Sequence, residues 1–140
     1  KRYAVASWAP VNVVWSRDNR TCGFRIVGHG ASLRIEDRLP GGDANPYLTY
    51  AAVLAAGLYG IENEVEPTPE FVGNAYEAKN VPHVPRSLYE AIAAWRNSAL
   101  AREAFGDVVV NHYLHTAELE QRAYDMAVTD WERQRYFERG

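Results

Sequence analysis

Four arginines and a glutamate stand out by type and spacing: Arg20, Arg25, Arg34, Glu36 and Arg38. In "SLRIEDRL" a strand would place Arg34, Glu36 and Arg38 on one face and Leu33, Ile35 and Leu39 on the other. Guanidinium forks match phosphate oxygens and stay charged at any working pH, so such a row can clamp a polyphosphate. Glu36 within it is acceptor-only and can take a hard cation such as Mg²⁺, although one carboxylate is not a complete metal site. The alternative is structural: a solvated sheet face, or ion pairs of these arginines with Asp18, Glu36 and Asp37. Spacing alone leaves both open.

Other chemistry has less support. His112 and His115 lie one helical turn apart with Glu118 and Glu120 following, but the spacing specifies no third ligand. His29 sits between glycines, His83 sits among prolines, and Cys22 has no base beside it, so nucleophilic catalysis finds no constellation. There is no glycine-rich phosphate loop of the Walker or Rossmann kind.

The elements that must position the charged row fall into two parts. Residues 11–16 and 22–27 are rich in β-branched and aromatic side chains, and 32–38 alternates, so three strands are expected. "RDNR" and "GHG" between them carry turn formers, which predicts antiparallel connections. Asn45 before Pro46 is an N-cap and first-turn pair opening a helix that is apolar nearly all round, and such a helix is expected to be buried. Residues 62–86 hold four prolines and read as a long functional or mobile loop. "SLYE" at 87–90 is a capping box opening a short helix. Gly106 should stop the next turns, and Asp107 should start a helical stretch towards Arg139 with a break near His115 or Thr129. The expected class is α+β: a small antiparallel sheet followed by packed helices.

Composition sets the outer bounds. The chain has 140 residues, 47% of them hydrophobic, which suits one domain of ordinary size. No apolar run reaches membrane-spanning length and no leader segment is evident. A single cysteine excludes an internal disulfide and is compatible with the cytoplasm. The net charge of −3 hides an asymmetry: residues 1–38 hold seven Lys/Arg against three Asp/Glu, and residues 39–140 hold eight against fifteen. A basic first quarter calls for an anionic ligand. It is not basic enough for a nucleic-acid reader, and its aromatics do not interleave with the arginines.

"NRTCGFRI", followed after a few residues by "RIEDRLPGGDANPYLTYAAVLAAGLYGI", resembles the carboxy-terminal part of the catalytic domain of glutamine synthetase. The family pattern is Asn-Arg-Ser/Thr, then Arg-Ile, then Arg-Ile-Glu-x-Arg-x-Pro and Ala-Asn-Pro-Tyr. The opening "KRYAVASWAPV" is similar to the family's substrate flap, Lys-Arg-Leu-x-x-Gly-Tyr-Glu-Ala-Pro. The match is close over residues 1 to about 62 and looser beyond. Where the family often has a lysine shortly before Arg-Ile-Glu, this chain has Ala31 and Ser32 in a shorter connection.

The resemblance implies roles residue by residue. Arg20, Arg25 and Arg34 match arginines on the nucleotide phosphates. Glu36 matches a ligand of one of two divalent metals, Mg²⁺ or Mn²⁺. Arg38 matches the arginine on the transferred phosphoryl group and the γ-carboxylate, and Arg2 one near the substrate's α-carboxylate. Trp8 stands where the flap carries a glutamate that helps bind and deprotonate ammonium, which points to a primary amine larger than ammonia. The implied reaction is ATP-dependent: glutamate becomes γ-glutamyl phosphate, and ammonia or a primary amine displaces phosphate. It further implies that residues 1–140 are one piece of a catalytic domain in a homo-oligomeric ring. The amino-terminal β-grasp domain and most metal carboxylates would precede Lys1, which leaves the isolated chain inactive. The alternative for the whole protein is a catalytically silent homologue serving assembly or regulation.

Overall fold

The computed structural model describes Tyr3 and residues 7–139. It divides into two compact units, Lys1–Ser87 and Leu88–Gly140. The first carries strands β1 (Trp15–Arg17), β2 (Phe24–Val27) and β3 (Arg34–Asp37) and helix α1 (Pro46–Glu62). The second carries helices α2 (Leu88–Arg96), α3 (Ala99–Met126) and α4 (Asp130–Tyr136). The class is α+β.

The sheet has the order β1-β2-β3, but it is mixed and not antiparallel. β2 and β3 pair antiparallel with Arg25 opposite Glu36 and Val27 opposite Arg34. β1 and β2 pair parallel, with Ser16 opposite Arg25. Parallel neighbours usually need a long crossover, because the chain must travel back the length of a strand. Here β1 spans only three residues, on the order of 10 Å, so a tight loop suffices. Asp18 takes a left-handed backbone (φ 49°), and the Asn19 side chain accepts from the Thr21 backbone N–H at 3.0 Å. The Cys22 N–H then returns to the Asn19 carbonyl. Turn-forming residues were legible here, but they make a return loop and not a hairpin.

The β2–β3 connection is the hairpin that the sequence predicts. Gly28 sits at φ +86°, and a Cβ there would lie 2.2 Å from the Ser32 carbonyl oxygen. The Ser32 hydroxyl donates to the His29 carbonyl at 2.8 Å, and the His29 N–H donates back to that hydroxyl at 3.1 Å, closing the turn.

Residues 62–86 form more than a surface loop. They run back along β1 and the segment before it: Phe71 N–H donates to the Trp15 carbonyl, Val13 N–H to the Pro82 carbonyl and Val84 N–H to the Val11 carbonyl. The small core of this unit is Val14, Cys22 and Ala75, with Phe71 and Val81 packed on it. Thus the loop supplies three of these five residues. Asn12 is buried and donates through Nδ2 to the Ala75 carbonyl at 2.5 Å, which satisfies a polar group that would otherwise be costly to enclose. Glu70 fastens the same loop by accepting from the Arg17 backbone N–H at 2.8 Å and from its guanidinium at 2.7 Å. The backbone bond first, then the guanidinium, hold its carboxyl below the usual range.

Helix α1 starts where expected, with the Asn45 side chain accepting from the Tyr47 and Leu48 N–H groups and Pro46 at N1. Its composition calls for burial, yet it is left uncovered: no α1 residue is buried, and Tyr47, Tyr50, Leu54, Leu58 and Ile61 are exposed. A helix that is apolar all round needs partners all round, and the described residues do not provide them. Exposed apolar side chains along one helix favour association. The purified 140-residue chain is therefore expected to scatter light as a species heavier than one chain. A one-chain mass at high concentration would contradict this.

In the second unit the helices behave largely as written. Ser98 caps α3 by accepting from Ala101 N–H at 3.0 Å, and Gly106 (φ 76°, ψ 159°) breaks the helical path inside it. No break occurs at His115. Thr129 and Glu132 form a reciprocal capping box that starts α4. α2 is fixed to α3 by the Trp95 indole donating to the Val110 carbonyl at 3.1 Å, by an Arg96–Glu118 ion pair, and by the Tyr89 hydroxyl donating to Asp125.

Candidate active site

β3 sets out the charged row as its alternation requires, with Arg34 and Glu36 on one face. Because Arg25 lies directly opposite Glu36 on β2, it shares that face. The Arg25 Nη1 donates to Glu36 Oε2 at 3.0 Å. Its other edge engages Asp18: Nε donates to Oδ1 at 3.1 Å and Nη2 donates to the same oxygen. One guanidinium is thus divided between two carboxylates. The hydrogen bond from Arg25 holds the Asp18 carboxyl below its ordinary range, and Asp18 first, then Glu36, raises Arg25. The Arg25 side chain is only 17% exposed, against 43% for Glu36 and 79% for Asp18.

The two partners of the Arg25–Glu36 ion pair line separate open clefts. The first, about 710 Å³, is lined by Arg20 and Arg25 with Ser16, Arg17, Asp18, Asn19 and residues 71–73. The second, about 310 Å³, is lined by Ser7, Trp8, Ala9, Glu36 and Arg38. Arg25 belongs to one cleft and Glu36 to the other, so their bond joins the two. Arg38, just past β3, donates through Nη2 to the Trp8 carbonyl at 3.4 Å. Trp8 takes a left-handed backbone (φ 63°) and is 82% exposed.

The sequence-predicted residues therefore divide into groups. Arg20 and Arg25 come together in the first cleft, and Trp8, Glu36 and Arg38 in the second. Arg34 lines neither; its Nη1 donates to the Ser32 carbonyl at 3.2 Å. Arg2 lies outside the described residues. Arg25 lines a cleft and is also ion-paired with Asp18 and Glu36. Sequence reasoning gave Asp18 no part beyond that of an ion-pair partner, and it missed Phe71, Val72 and Gly73. The one signal for these three was the length of the loop that carries them.

As for a divalent cation, Glu36 offers a hard carboxylate oxygen facing an open cleft, which is the right donor chemistry. Among the described residues no group of three or more His, Cys, Asp or Glu could hold a metal, and His112 and His115 form no such group. The residues present fit a cation as one contributed ligand, not as a whole site. Among the described residues no helix is long and apolar enough to cross a membrane.

Residues 1–136 match the family model "Glutamine synthetase, catalytic domain". The chain is similar to the γ-glutamylethanolamide synthetase GlnA4 of Streptomyces coelicolor, at 56% identity over 99% of this chain and 30% of that protein. It is also similar to a glutamate–isopropylamine ligase of a Pseudomonas species, at 43% identity over 99% of this chain and 31% of that protein. A solved structure titled "Apo GmaS without ligand" superposes with a TM-score of 0.82 at 30% identity, covering 96% of this chain and 33% of that one. The chain spans about a third of the length of each of these relatives. With motif order, fold and family model in agreement, this chain belongs to the glutamine synthetase family, as part of its catalytic domain.

Proposed function

We propose that the protein containing this chain is an ATP-dependent ligase joining the γ-carboxylate of glutamate to a primary amine larger than ammonia. The observation that carries this reading is the second cleft, which Trp8, Glu36 and Arg38 line together. Arg38 there is suited to hold the γ-carboxylate and the phosphoryl group it receives. Arg20 and Arg25, in the adjoining cleft, are suited to the nucleotide phosphates, with Arg34 nearby on β3. Arg2 is assigned to the glutamate α-carboxylate. Each guanidinium at about 4 Å from a phosphate charge supplies roughly 4 kcal/mol at an effective dielectric near 20, before desolvation. Such attraction offsets part of the repulsion between a carboxylate and a triphosphate. Glu36 contributes one ligand to a divalent cation, Mg²⁺ or Mn²⁺, which when bound neutralises phosphate charge.

Trp8 decides the amine. An indole accepts no proton, but its face attracts a cation by about 0.5–2 kcal/mol and its bulk gives an alkyl chain an apolar wall. The names of the two relatives specify an ethanolamide and isopropylamine, so a short amino alcohol or alkylamine is the expected class, ahead of ammonia. The remaining metal ligands and the amino-terminal domain are assigned to the rest of the protein, which we place in the cytoplasm as a homo-oligomeric ring.

The test is phosphate release from ATP by the full-length protein with glutamate and a panel of amines. Release that needs both glutamate and an amine is expected. Absence of release under every pairing would favour a silent homologue. The 140-residue chain alone should consume no ATP with Mg²⁺ present, since it brings a single metal carboxylate.

A further inference from the structure

The Asp18–Arg25–Glu36 arrangement poses a competition. A guanidinium and a carboxylate favour a two-bond, fork-to-fork contact. Arg25 lies opposite Glu36, yet it places only Nη1 on Glu36, and on one oxygen. The edge formed by Nε and Nη2 is taken up by Asp18.

Asp18 reaches it because β1 pairs parallel to β2. Ser16 lies opposite Arg25, Asp18 comes two residues later, and the Asp18 N–H is anchored to the Ile26 carbonyl at 3.0 Å. The left-handed backbone at Asp18 is one that Asp and Asn tolerate better than most residues. An antiparallel sheet, as turn chemistry alone would predict, would not deliver this carboxylate to that edge.

We propose that Asp18 is a positioning residue: by holding one edge of Arg25 it prevents Arg25 from taking the whole carboxylate of Glu36, and so keeps Glu36 open to a divalent cation. This rests on the reading of Glu36 as a metal ligand given above. Without the charge of Asp18, Glu36 becomes the sole counter-ion of Arg25, and a cation must displace a two-bond contact to bind.

The experiment measures Mn²⁺ binding to the full-length protein directly, by electron paramagnetic resonance or calorimetry, without nucleotide. Asp18→Asn keeps the backbone conformation and removes the charge. It is expected to weaken the Mn²⁺ site that Glu36→Gln abolishes by about tenfold. In an Arg25→Met background, or Arg25→Lys if the former does not fold, the same change should alter that affinity less than about twofold, since the effect is routed through the guanidinium fork. Equal weakening in both backgrounds would show a through-space charge effect and overturn the proposal, as would no weakening in either. If Glu36→Gln leaves Mn²⁺ binding unchanged, the metal assignment itself falls and this inference with it. If Glu36→Gln abolishes the site and Asp18→Asn is silent, only the inference falls.

Discussion

Replacing Arg38 with alanine in the full-length protein is expected to lower kcat for glutamate-dependent phosphate release by about 10²- to 10³-fold, the usual cost of losing one well-placed donor to developing charge. Two consequences of the structure sharpen this. Arg38 lines the same cleft as Glu36, so its charge is removed from the place where carboxylate and phosphoryl group are proposed to meet. It also donates to the Trp8 carbonyl, so its removal loosens the segment that carries Trp8. Arg38→Lys separates the two roles of charge and shape. An ammonium keeps the charge but cannot make a planar two-point contact, so most of the loss should persist. An Arg38→Ala enzyme with unchanged kcat would remove this residue from the site.

The second large effect concerns Trp8. With the wild-type side chain, kcat/KM for a short alkylamine or amino alcohol should exceed that for ammonia. Trp8→Glu restores a carboxylate at the position where the family's flap carries one. It is expected to shift the ratio towards ammonia by tenfold or more, about 1.4 kcal/mol of transition-state preference. Because Trp8 is 82% exposed at positive φ, neither residue is better suited to the backbone, and the substitution opens no core cavity. Stability should change little, and a thermal melt checks that separately. If wild-type protein prefers ammonia by tenfold, the indole serves only to pack the flap.

Much of the geometry of the candidate site was legible because it lies on local patterns. Alternation in "SLRIEDR" put Arg34 and Glu36 on one face, and β3 reproduces it. Asn45–Pro46 announced α1 to the residue, and Gly106 and Thr129 marked real breaks because a left-handed glycine and a capping box are local devices. His115 carried no such device, and the helix runs through it.

What the sequence by itself determined is the set of charges, their order and the short-range geometry of turns and caps, all fixed by residues a few positions apart. Tertiary structure decided the rest. The parallel pairing of β1 with β2 depends on strand length and a loop that doubles back, and only that pairing brings Asp18 onto Arg25. The role of residues 62–86 was settled by where their backbone groups found partners, on β1 and the segment before it, which no local pattern encodes. The exposure of α1 likewise could not be read from its composition. An apolar helix states that it needs covering, and only the arrangement of the whole chain determines whether anything covers it.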